Sequence, residues 1–313
     1  MHYRTLGRTG LRLSEIGLGT MVHAGHFGAM KDEESLSAID AALDLGVNFI
    51  DTSDAYGAGY SETLLGRALK GRRDGVILAT KGGNVMVGPN RGKTDFSSAY
   101  INRVMDESLQ RLQTDYIDLY QLHNPSVEVI ERGDVWELLE QRKKEGKIRH
   151  YGVSINKTDE GAAAVNGGRS ETIQIEYNLL MQQPKDEVFP LAREANVGVI
   201  ARAPLRRSLL SGKWKPEDQN LFKGEDVRAR NFAGDVFKKE LDKIEQLRFL
   251  ANETRTLAQA ALAFCLADPA VSVVIVGARD AAQMRANAAA SELRLAPEEL
   301  ARIEQIWRSG FRV

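Results

Sequence analysis

The 313-residue chain is long enough for one large domain with a substantial core, or for two small domains. Its 42 lysines and arginines balance 43 aspartates and glutamates, so the formal net charge is -1 and a nucleic-acid partner is not expected. The single cysteine, Cys265, excludes an internal disulfide framework, and no apolar run is long enough to span a membrane. The polar first residues lack the apolar core of a signal peptide, so we expect a soluble cytoplasmic protein.

Short β-rich runs alternate with longer helical patterns along the chain. The stretch Leu6–Leu11 predicts a hairpin turn, which we expect to plug the closed end of a barrel. Most of the strand runs are continuously apolar, which is typical of parallel strands buried on both faces. The predicted strands are Glu15–Gly19, Val47–Thr52, Val76–Lys81, Ile117–His123, His150–Ser154, Thr172–Tyr177, Val197–Arg202 and Ser272–Val276. Helical patterns include Glu33–Leu45, Ser61–Leu69, Ser97–Leu112, Val135–Glu145 and Thr256–Leu266.

About eight strand–helix repeats without a linker predict an α/β fold, a single (β/α)8 TIM barrel with an N-terminal β-hairpin, as one domain over residues 1–313. The rival is an open doubly wound sheet, whose first strand would lead into a Gly-x-Gly-x-x-Gly turn. Gly17-Leu18-Gly19 is the nearest approach, and no helix-opening glycine follows it at the right distance. The barrel is therefore favoured.

Two long segments interrupt the alternation, Asn84–Asp95 and Arg206–Asp235. Loops of this length in a compact domain are usually functional or disordered, and on a barrel both would lie at the C-terminal face, where active sites are built. Together with His23–Met30, they are where we expect substrate specificity. The sequence does not name the substrate or the oligomeric state.

Four polar residues stand at or just beyond successive strand ends: Asp51, Tyr56, Lys81 and His123. The carboxyl ends of parallel barrel strands meet at one rim, so these side chains are predicted to converge. A phenol is a poor acid at neutral pH, but a nearby ammonium favours its phenolate form. A carboxylate can hold that ammonium, and a histidine can hydrogen-bond the same substrate oxygen, so the set suggests proton transfer to a carbonyl.

The surroundings of these residues resemble the aldo-keto reductases. Residues 46–57, GVNFIDTSDAYG, resemble the first signature of that family, and 61–69, SETLLGRAL, continue it. Residues 109–112 and 115–119 resemble the second signature, and 146–154 resemble the start of the fifth strand. The resemblance runs from the hairpin to Asn287, with the motifs in order.

This resemblance implies an NADP(H)-dependent reductase of aldehydes or ketones that uses no metal. Tyr56 would be the general acid, Lys81 the ammonium beside it, Asp51 the partner of that lysine, and His123 the residue that orients or polarises the carbonyl. The nicotinamide cofactor would carry the hydride, and the protein would supply geometry and field.

The resemblance also implies a cofactor site. Ser154, Asn156 and Gln174 would bind the nicotinamide carboxamide. In relatives the asparagine directly follows the serine, whereas here Ile155 lies between Ser154 and Asn156. The loop that would fold over the pyrophosphate has Ser208 where relatives often have glycine. A guanidinium at Arg279, with Arg285 as a helper, would bind the 2′-phosphate of NADP(H), unless Asp280 pointed inward. The remaining implied cofactor contacts are Pro204, Leu205, Leu210, Gly212, Lys213, Gly277, Gln283 and Asn287.

Arg202 ends a strand where many relatives carry an aromatic residue that stacks on the nicotinamide. A planar, weakly hydrated guanidinium can lie on a flat heterocycle, so we expect Arg202 to cover one face of the nicotinamide. The alternative is an ion pair between Arg202 and Glu176. Two other functions remain open: a nucleotide-binding redox-sensing regulatory subunit with the same barrel, and an unrelated barrel enzyme that uses Lys81 as a Schiff-base amine.

Overall fold

The computed structural model describes residues 1–87, 90–224 and 226–312. Its core is a closed barrel of eight parallel strands, each paired with its neighbours through backbone hydrogen bonds. Four further strands, β1, β2, β6 and β7, form two hairpins outside the barrel. In chain order the strands are β1 (Tyr3–Thr5), β2 (Arg12–Ser14), β3 (Ile16–Gly19), β4 (Phe49–Asp51), β5 (Ile77–Gly82), β6 (Asn84–Val87), β7 (Asn90–Thr94), β8 (Ile117–His123), β9 (Ile148–Ser154), β10 (Thr172–Glu176), β11 (Gly198–Arg202) and β12 (Val271–Val276). The barrel order is β3-β4-β5-β8-β9-β10-β11-β12, and β12 pairs with β3 to close it.

Helices lie between the barrel strands and cover the outside of the barrel. They are α1 (Asp32–Asp44), α2 (Tyr60–Ala68), α3 (Ser98–Leu112), α4 (Val127–Arg132), α5 (Asp134–Lys144), α6 (Thr158–Asn166), α7 (Gln183–Glu187), α8 (Phe189–Glu194), α9 (Val227–Asn231), α10 (Val236–Glu245), α11 (Leu257–Ala267), α12 (Ala281–Ala288) and α13 (Pro297–Arg308). The predicted (β/α)8 barrel is confirmed. In the described part of the chain, no helix is both long and apolar enough to cross a bilayer.

The hairpin β1–β2 closes one end of the barrel, as predicted. Leu6 and Leu13 are fully buried and pack with Phe49, Ile200 and other apolar side chains that fill the interior. This contact needs a glycine on β11, since a Cβ at Gly198 would come within 2.6 Å of the Leu6 side chain. The packed end leaves the opposite, C-terminal end for polar side chains.

The two segments predicted as loops contain short regular elements that the sequence pattern did not reveal. Asn84–Asp95 includes the antiparallel pair β6–β7, whose backbone groups hydrogen-bond to each other and need no partner in the barrel. The prediction of a plain loop was wrong there, because strands of four and five residues give too short a pattern to recognise. Arg206–Asp235 is built from 3-10 turns at Leu209–Ser211 and Pro216–Leu221 and the single-turn α9, which are too short to show helical periodicity.

Candidate active site

Lys81 lies at the centre of the polar C-terminal end. β4 and β5 are neighbouring strands, and their register places the end of β5 beside the segment that follows Asp51. The Lys81 ammonium donates to Asp51 Oδ1 at 2.6 Å, to the Thr52 carbonyl at 2.7 Å and to the Tyr56 hydroxyl at 3.3 Å. Asp51 and Lys81 are almost completely buried, and Tyr56 is 8% exposed. The predicted convergence of these three side chains is present in the structure.

The lysine is held in its charged form. Burial lowers the pKa of Lys81, but the Asp51 carboxylate and the contact with Tyr56 outweigh burial, and the pKa is raised overall. All three ammonium protons have acceptors in the contacts described above, so no lone pair is available on the nitrogen. This geometry argues against Lys81 as a Schiff-base nucleophile, which must be a neutral amine.

The Asp51 carboxylate also binds two glutamines on the far side from Lys81. Its Oδ2 accepts from Gln174 Nε2 at 2.7 Å and from Gln121 Nε2 at 3.3 Å. Gln174 Oε1 accepts from the Ser154 hydroxyl at 3.3 Å. We call Asp51, Tyr56, Lys81, Gln121 and Gln174 the Asp51 cluster. Sequence reasoning missed Gln121, although it precedes His123 by two residues on β8 and therefore shares its face of the sheet.

Two imidazole rings flank the Tyr56 ring. His123, at the end of β8, stands edge-on with ring centroids 6.1 Å apart and an interplanar angle of 88°. His26 lies at the same centroid distance with an angle of 73°. His123 was a predicted site residue. His26 was not assigned a catalytic or cofactor role from the sequence, but it lies in the loop His23–Met30, where substrate specificity was expected.

Asn156 and Arg202 contact each other at the rim. Arg202 Nη2 donates to Asn156 Oδ1 at 2.8 Å and to the Ile155 carbonyl at 3.0 Å. Its Nη1 lies 3.6 Å from Glu176 Oε2, so the ion pair considered as the alternative to nicotinamide stacking is present. Asn156 is exposed and its backbone N–H binds Glu160. Ser154 donates to Gln174 in the Asp51 cluster, whereas none of the bonds of Asn156 described here reaches that cluster.

Glu176 is surrounded by three arginines, two of which sequence reasoning missed. Arg206 Nη1 lies 2.7 Å and Arg207 Nη1 3.8 Å from Glu176 Oε1, and Arg206 also binds Glu240 at 2.9 Å. Burial raises the pKa of Glu176, but Arg202, Arg207 and Arg206 outweigh it and lower the pKa overall. The three guanidinium groups outnumber the carboxylates of Glu176 and Glu240, so this group of side chains carries excess positive charge.

The loop after β11 adopts an unusual backbone. Arg206, Arg207 and Ser208 have φ values of 46°, 54° and 75°, in the left-handed region that favours glycine. The Ser208 carbonyl and hydroxyl both accept from Trp214 Nε1, and the hydroxyl also accepts from Arg228 at 3.1 Å. Among the predicted pyrophosphate contacts, Pro204 and Leu210 are buried, Leu205 and Gly212 are partly buried and Lys213 is exposed.

Arg279 binds the loop that follows β3. Its guanidinium donates to the carbonyls of Phe27, Gly28 and Ala29 at 3.2, 3.5 and 2.7 Å. Its backbone N–H donates to Gln283 Oε1 at 3.1 Å. The Asp280 carboxylate accepts from the Gln283 N–H at 2.7 Å and caps α12. That carboxylate therefore has a local partner. Asn287 donates to the Gly277 carbonyl at 3.3 Å, which ties two other predicted adenosine contacts together.

The loop His23–Met30 is joined to both neighbouring loops. His23 Nε2 lies 3.0 Å from the Ala278 carbonyl, and burial lowers the pKa of His23 to about 4. Val227 donates to the His26 carbonyl at 3.0 Å, and Arg228 donates to the Phe27 carbonyl at 3.1 Å. The loops after β3, β11 and β12 thus meet above one side of the barrel.

The donor set around these loops fits an anionic nicotinamide dinucleotide. Arg202, Arg206, Arg207 and Arg279, which we call the arginine rim, line the loops after β11 and β12 and match an anionic ligand. Ser154 and Gln174 supply a hydroxyl and an amide group beside Asp51, as a carboxamide needs. No cluster of three or more His, Cys, Asp or Glu side chains suited to a metal ion occurs among residues 1–87, 90–224 and 226–312.

Comparison with known proteins identifies the family. The model of the aldo/keto reductase family matches residues 15–308, so the chain belongs to that family and is an oxidoreductase. It is 35% identical over 300 residues to the uncharacterized oxidoreductase YqkF of Bacillus subtilis, covering 96% of this chain and 94% of that protein.

Two solved structures extend the comparison. The holo form of aldo-keto reductase AKR11C1 from Bacillus halodurans is 35% identical, with a TM-score of 0.83 over 98% of this chain and 96% of the other. The glycerol dehydrogenase AKR11B4 from Gluconobacter oxydans is 28% identical, with a TM-score of 0.85 over 99% and 97%. Members of the family use nicotinamide cofactors and act on small carbonyl compounds, which sets the class of reaction.

Proposed function

We propose that this protein transfers hydride between NADP(H) and an aldehyde or ketone, with Tyr56 as the general acid. The observation that carries the proposal is the continuous chain of contacts from the Asp51 carboxylate through the Lys81 ammonium to the Tyr56 hydroxyl. A bound NADPH supplies the hydride. The chain supplies a proton donor whose conjugate base is stabilised by a fixed positive charge.

The side chains divide the work. Tyr56 gives its proton to the substrate oxygen as negative charge develops there, and Lys81 stabilises the phenolate that remains. Asp51 fixes the ammonium by one oxygen, while Gln121 and Gln174 fix Asp51 by the other. His123 lies beside the Tyr56 ring and hydrogen-bonds the same substrate oxygen. Because the cluster is buried, these interactions are stronger than they would be in water.

The finer cofactor assignment follows from charge. We propose that Arg206, Arg207 and Lys213 bind the pyrophosphate. Within the same rim, Arg279 reads the 2′-phosphate and Arg202 covers the nicotinamide. Asp280 caps its own helix, which removes one objection to a phosphate beside Arg279. Arg279 must then exchange or share its carbonyl partners in the loop after β3. We further propose that residues 1–313 form one domain in the cytoplasm, where the free buried thiol of Cys265 stays reduced.

Tyr56→Phe tests the proposal because it removes the proton donor and keeps the ring. NADPH oxidation should be measured with a panel of aldehydes, ketones, glyceraldehyde and sugars, and NADPH binding by fluorescence titration. We expect a loss of ~10²–10⁴-fold in kcat with nearly unchanged NADPH affinity. Tyr60→Phe is a matched control on an exposed tyrosine. Near wild-type reduction by Tyr56→Phe would refute the role of the phenol.

The same panel separates an enzyme from a redox-sensing subunit. A regulatory subunit would bind NADPH and turn over no member of the panel at a useful rate, whereas a reductase must oxidise NADPH with at least one. Because the chain is similar to a glycerol dehydrogenase, the panel should include the carbonyl compounds that oxidation of polyols gives.

A further inference from the structure

Asp54 is a buried carboxyl group that the proposed chemistry does not use. It lies two residues before Tyr56, is 7% exposed, and its backbone N–H donates to the Lys81 carbonyl at 3.2 Å. The ionisable groups that face it are Glu62 on α2, Arg111 and Tyr100 on α3, and Tyr120 on β8. Arg111 is already paired with Glu62 at 2.7 Å, so no cation among the described side chains is paired with Asp54 alone.

Ser53 connects Asp54 to His123. The Ser53 hydroxyl lies 3.0 Å from Asp54 Oδ1 and 3.0 Å from His123 Nδ1. It accepts a hydrogen bond from the Ala55 N–H at 3.1 Å, and the Lys81 carbonyl is a longer acceptor at 3.4 Å. A serine hydroxyl has one hydrogen and two lone pairs. With one lone pair used by Ala55, one donor and one acceptor position remain for Asp54 and His123.

Two arrangements in which the imidazole is neutral satisfy this count. An ionised Asp54 can only accept, so Ser53 donates to it and must accept from His123, which then carries its proton on Nδ1. A protonated Asp54 can donate to Ser53, whose hydrogen turns to His123 Nδ1, and the imidazole then carries its proton on Nε2. The imidazole is neutral in both states. It gives up one proton at Nδ1 and takes one at Nε2, and the single net proton is the one on Asp54.

We propose that Asp54 is a positioning residue that sets the tautomer of His123 through the Ser53 hydroxyl. Protonation of Asp54 selects the Nε2–H tautomer, and its ionisation selects the Nδ1–H tautomer. The change is local, because only the Ser53 hydroxyl rotates and no backbone movement is required.

The protonation of Asp54 changes near neutral pH. Burial and, to a smaller extent, the Glu62 charge raise the pKa of Asp54 to about 7, although Ser53, Arg111 and the Ala55 N–H act in the opposite direction. The raised pKa means that Asp54 is mainly protonated below pH 7 and mainly ionised above it. The proton of a neutral His123 imidazole is therefore expected to move between Nε2 and Nδ1 near neutrality.

The kinetic consequence rests on the proposed function. Only the Nε2–H tautomer can donate a hydrogen bond to a substrate carbonyl from the nitrogen opposite Ser53. Carbonyl reduction should then fall as Asp54 ionises, because the ionised state leaves a lone pair facing the substrate oxygen. Tautomer control by a hydrogen-bonded neighbour is a general property of histidine.

Imidazole ¹⁵N NMR of the histidine-labelled protein tests the relay without any substrate. The chain has five histidines, and His123→Asn assigns the signal in question. Spectra should be recorded from about pH 5.5 to about 8.5, an interval centred on the raised pKa. We expect the proton to move from Nε2 to Nδ1 with a midpoint near 7. Asp54→Asn and Ser53→Ala should each remove that midpoint, and Ser53→Thr, which keeps a hydroxyl, should retain it.

The proposal is overturned if His123 keeps one tautomer over the interval, if it becomes doubly protonated instead of exchanging, or if the midpoint survives in Asp54→Asn. The pH profile of kcat adds a second readout: the inflection near 7 should vanish in Asp54→Asn, whereas a purely structural role would lower the rate at every pH and keep the inflection. If no carbonyl compound is reduced, the proposed function fails, and the NMR result still decides the relay.

Discussion

The polar side chains of the Asp51 cluster and those of the arginine rim are held in different ways. In the cluster, Asp51, Lys81, Gln121 and Gln174 project from strand ends, are almost fully buried and satisfy one another at one end of a rigid barrel. The arginines of the rim, at the end of β11 and in the loops after β11 and β12, are partly exposed and bind backbone carbonyls and carboxylates.

The difference indicates different tasks. Side chains fixed by strands keep the geometry that a proton transfer needs before the substrate arrives. Arginines on loops hold replaceable partners, so an anionic ligand can take the place of a carbonyl or carboxylate. We therefore expect substitutions in the cluster to affect the chemical step, and substitutions in the rim to affect cofactor affinity.

The largest effect is expected from Lys81→Met. The change removes the only cation in contact with the Tyr56 hydroxyl among those described, and it leaves Asp51 as a buried carboxylate without its ion pair. We expect kcat to fall by ~10²–10⁴-fold, with the residual pH–rate profile shifted to higher pH. NADPH affinity, measured by titration, should change little. A large loss of NADPH affinity with kcat preserved would erase the distinction between the two regions.

Arg279→Ala should have the next largest effect, on binding alone. A lost charge-assisted contact costs roughly 1.5–3 kcal/mol, or about ten- to a hundred-fold in Kd for NADPH. NADH is the built-in control, because it lacks the 2′-phosphate. Removal of Arg279 also takes one hydrogen bond from each of the Phe27, Gly28 and Ala29 carbonyls, and a looser loop would weaken the binding of both cofactors alike. Equal losses for NADPH and NADH would show that Arg279 holds the loop and does not read the phosphate.

Arg202→Tyr should change the preference between redox forms. Oxidised nicotinamide is cationic, so an arginine beside it disfavours NADP⁺ relative to NADPH. The bare repulsion at ~4 Å is on the order of 4 kcal/mol at an effective dielectric near 20. Glu176 lies 3.6 Å from the guanidinium and offsets much of this repulsion, so we expect a several-fold shift in the ratio of the two Kd values, towards NADP⁺. A ratio that does not move would place Arg202 away from the ring.

The smallest effect is expected from a pair of substitutions at Ser208. Both substitutions remove the Ser208 hydroxyl. Ser208→Gly also removes the strain of a left-handed φ of 75°, whereas Ser208→Ala keeps it. The glycine variant should be the more stable of the two by about 1 kcal/mol in chemical denaturation, because both variants lose the same hydroxyl bonds. Equal stabilities would show that the loop carries no backbone strain at this position.

Much of the fold was determined by the sequence itself. Continuous apolar runs separated by helical patterns permit few arrangements other than a parallel barrel, so all eight barrel strands were predicted. Strand ends were the most informative positions, because parallel strands bring their carboxyl ends to one rim wherever the intervening helices lie. Asp51, Lys81 and His123 could be assigned to one site for that reason.

Tertiary structure alone decided the rest. No spacing in the sequence shows that Gln121 binds the same carboxylate as Gln174, that Arg202 and Arg206 share Glu176, or that Arg279 reaches the loop after β3. These are contacts between residues tens to hundreds of positions apart, and they depend on which rotamer and which loop path buries the polar groups with their partners satisfied. Local pattern sets where a strand ends, whereas the partner of each buried charge is set by the packing of the whole barrel.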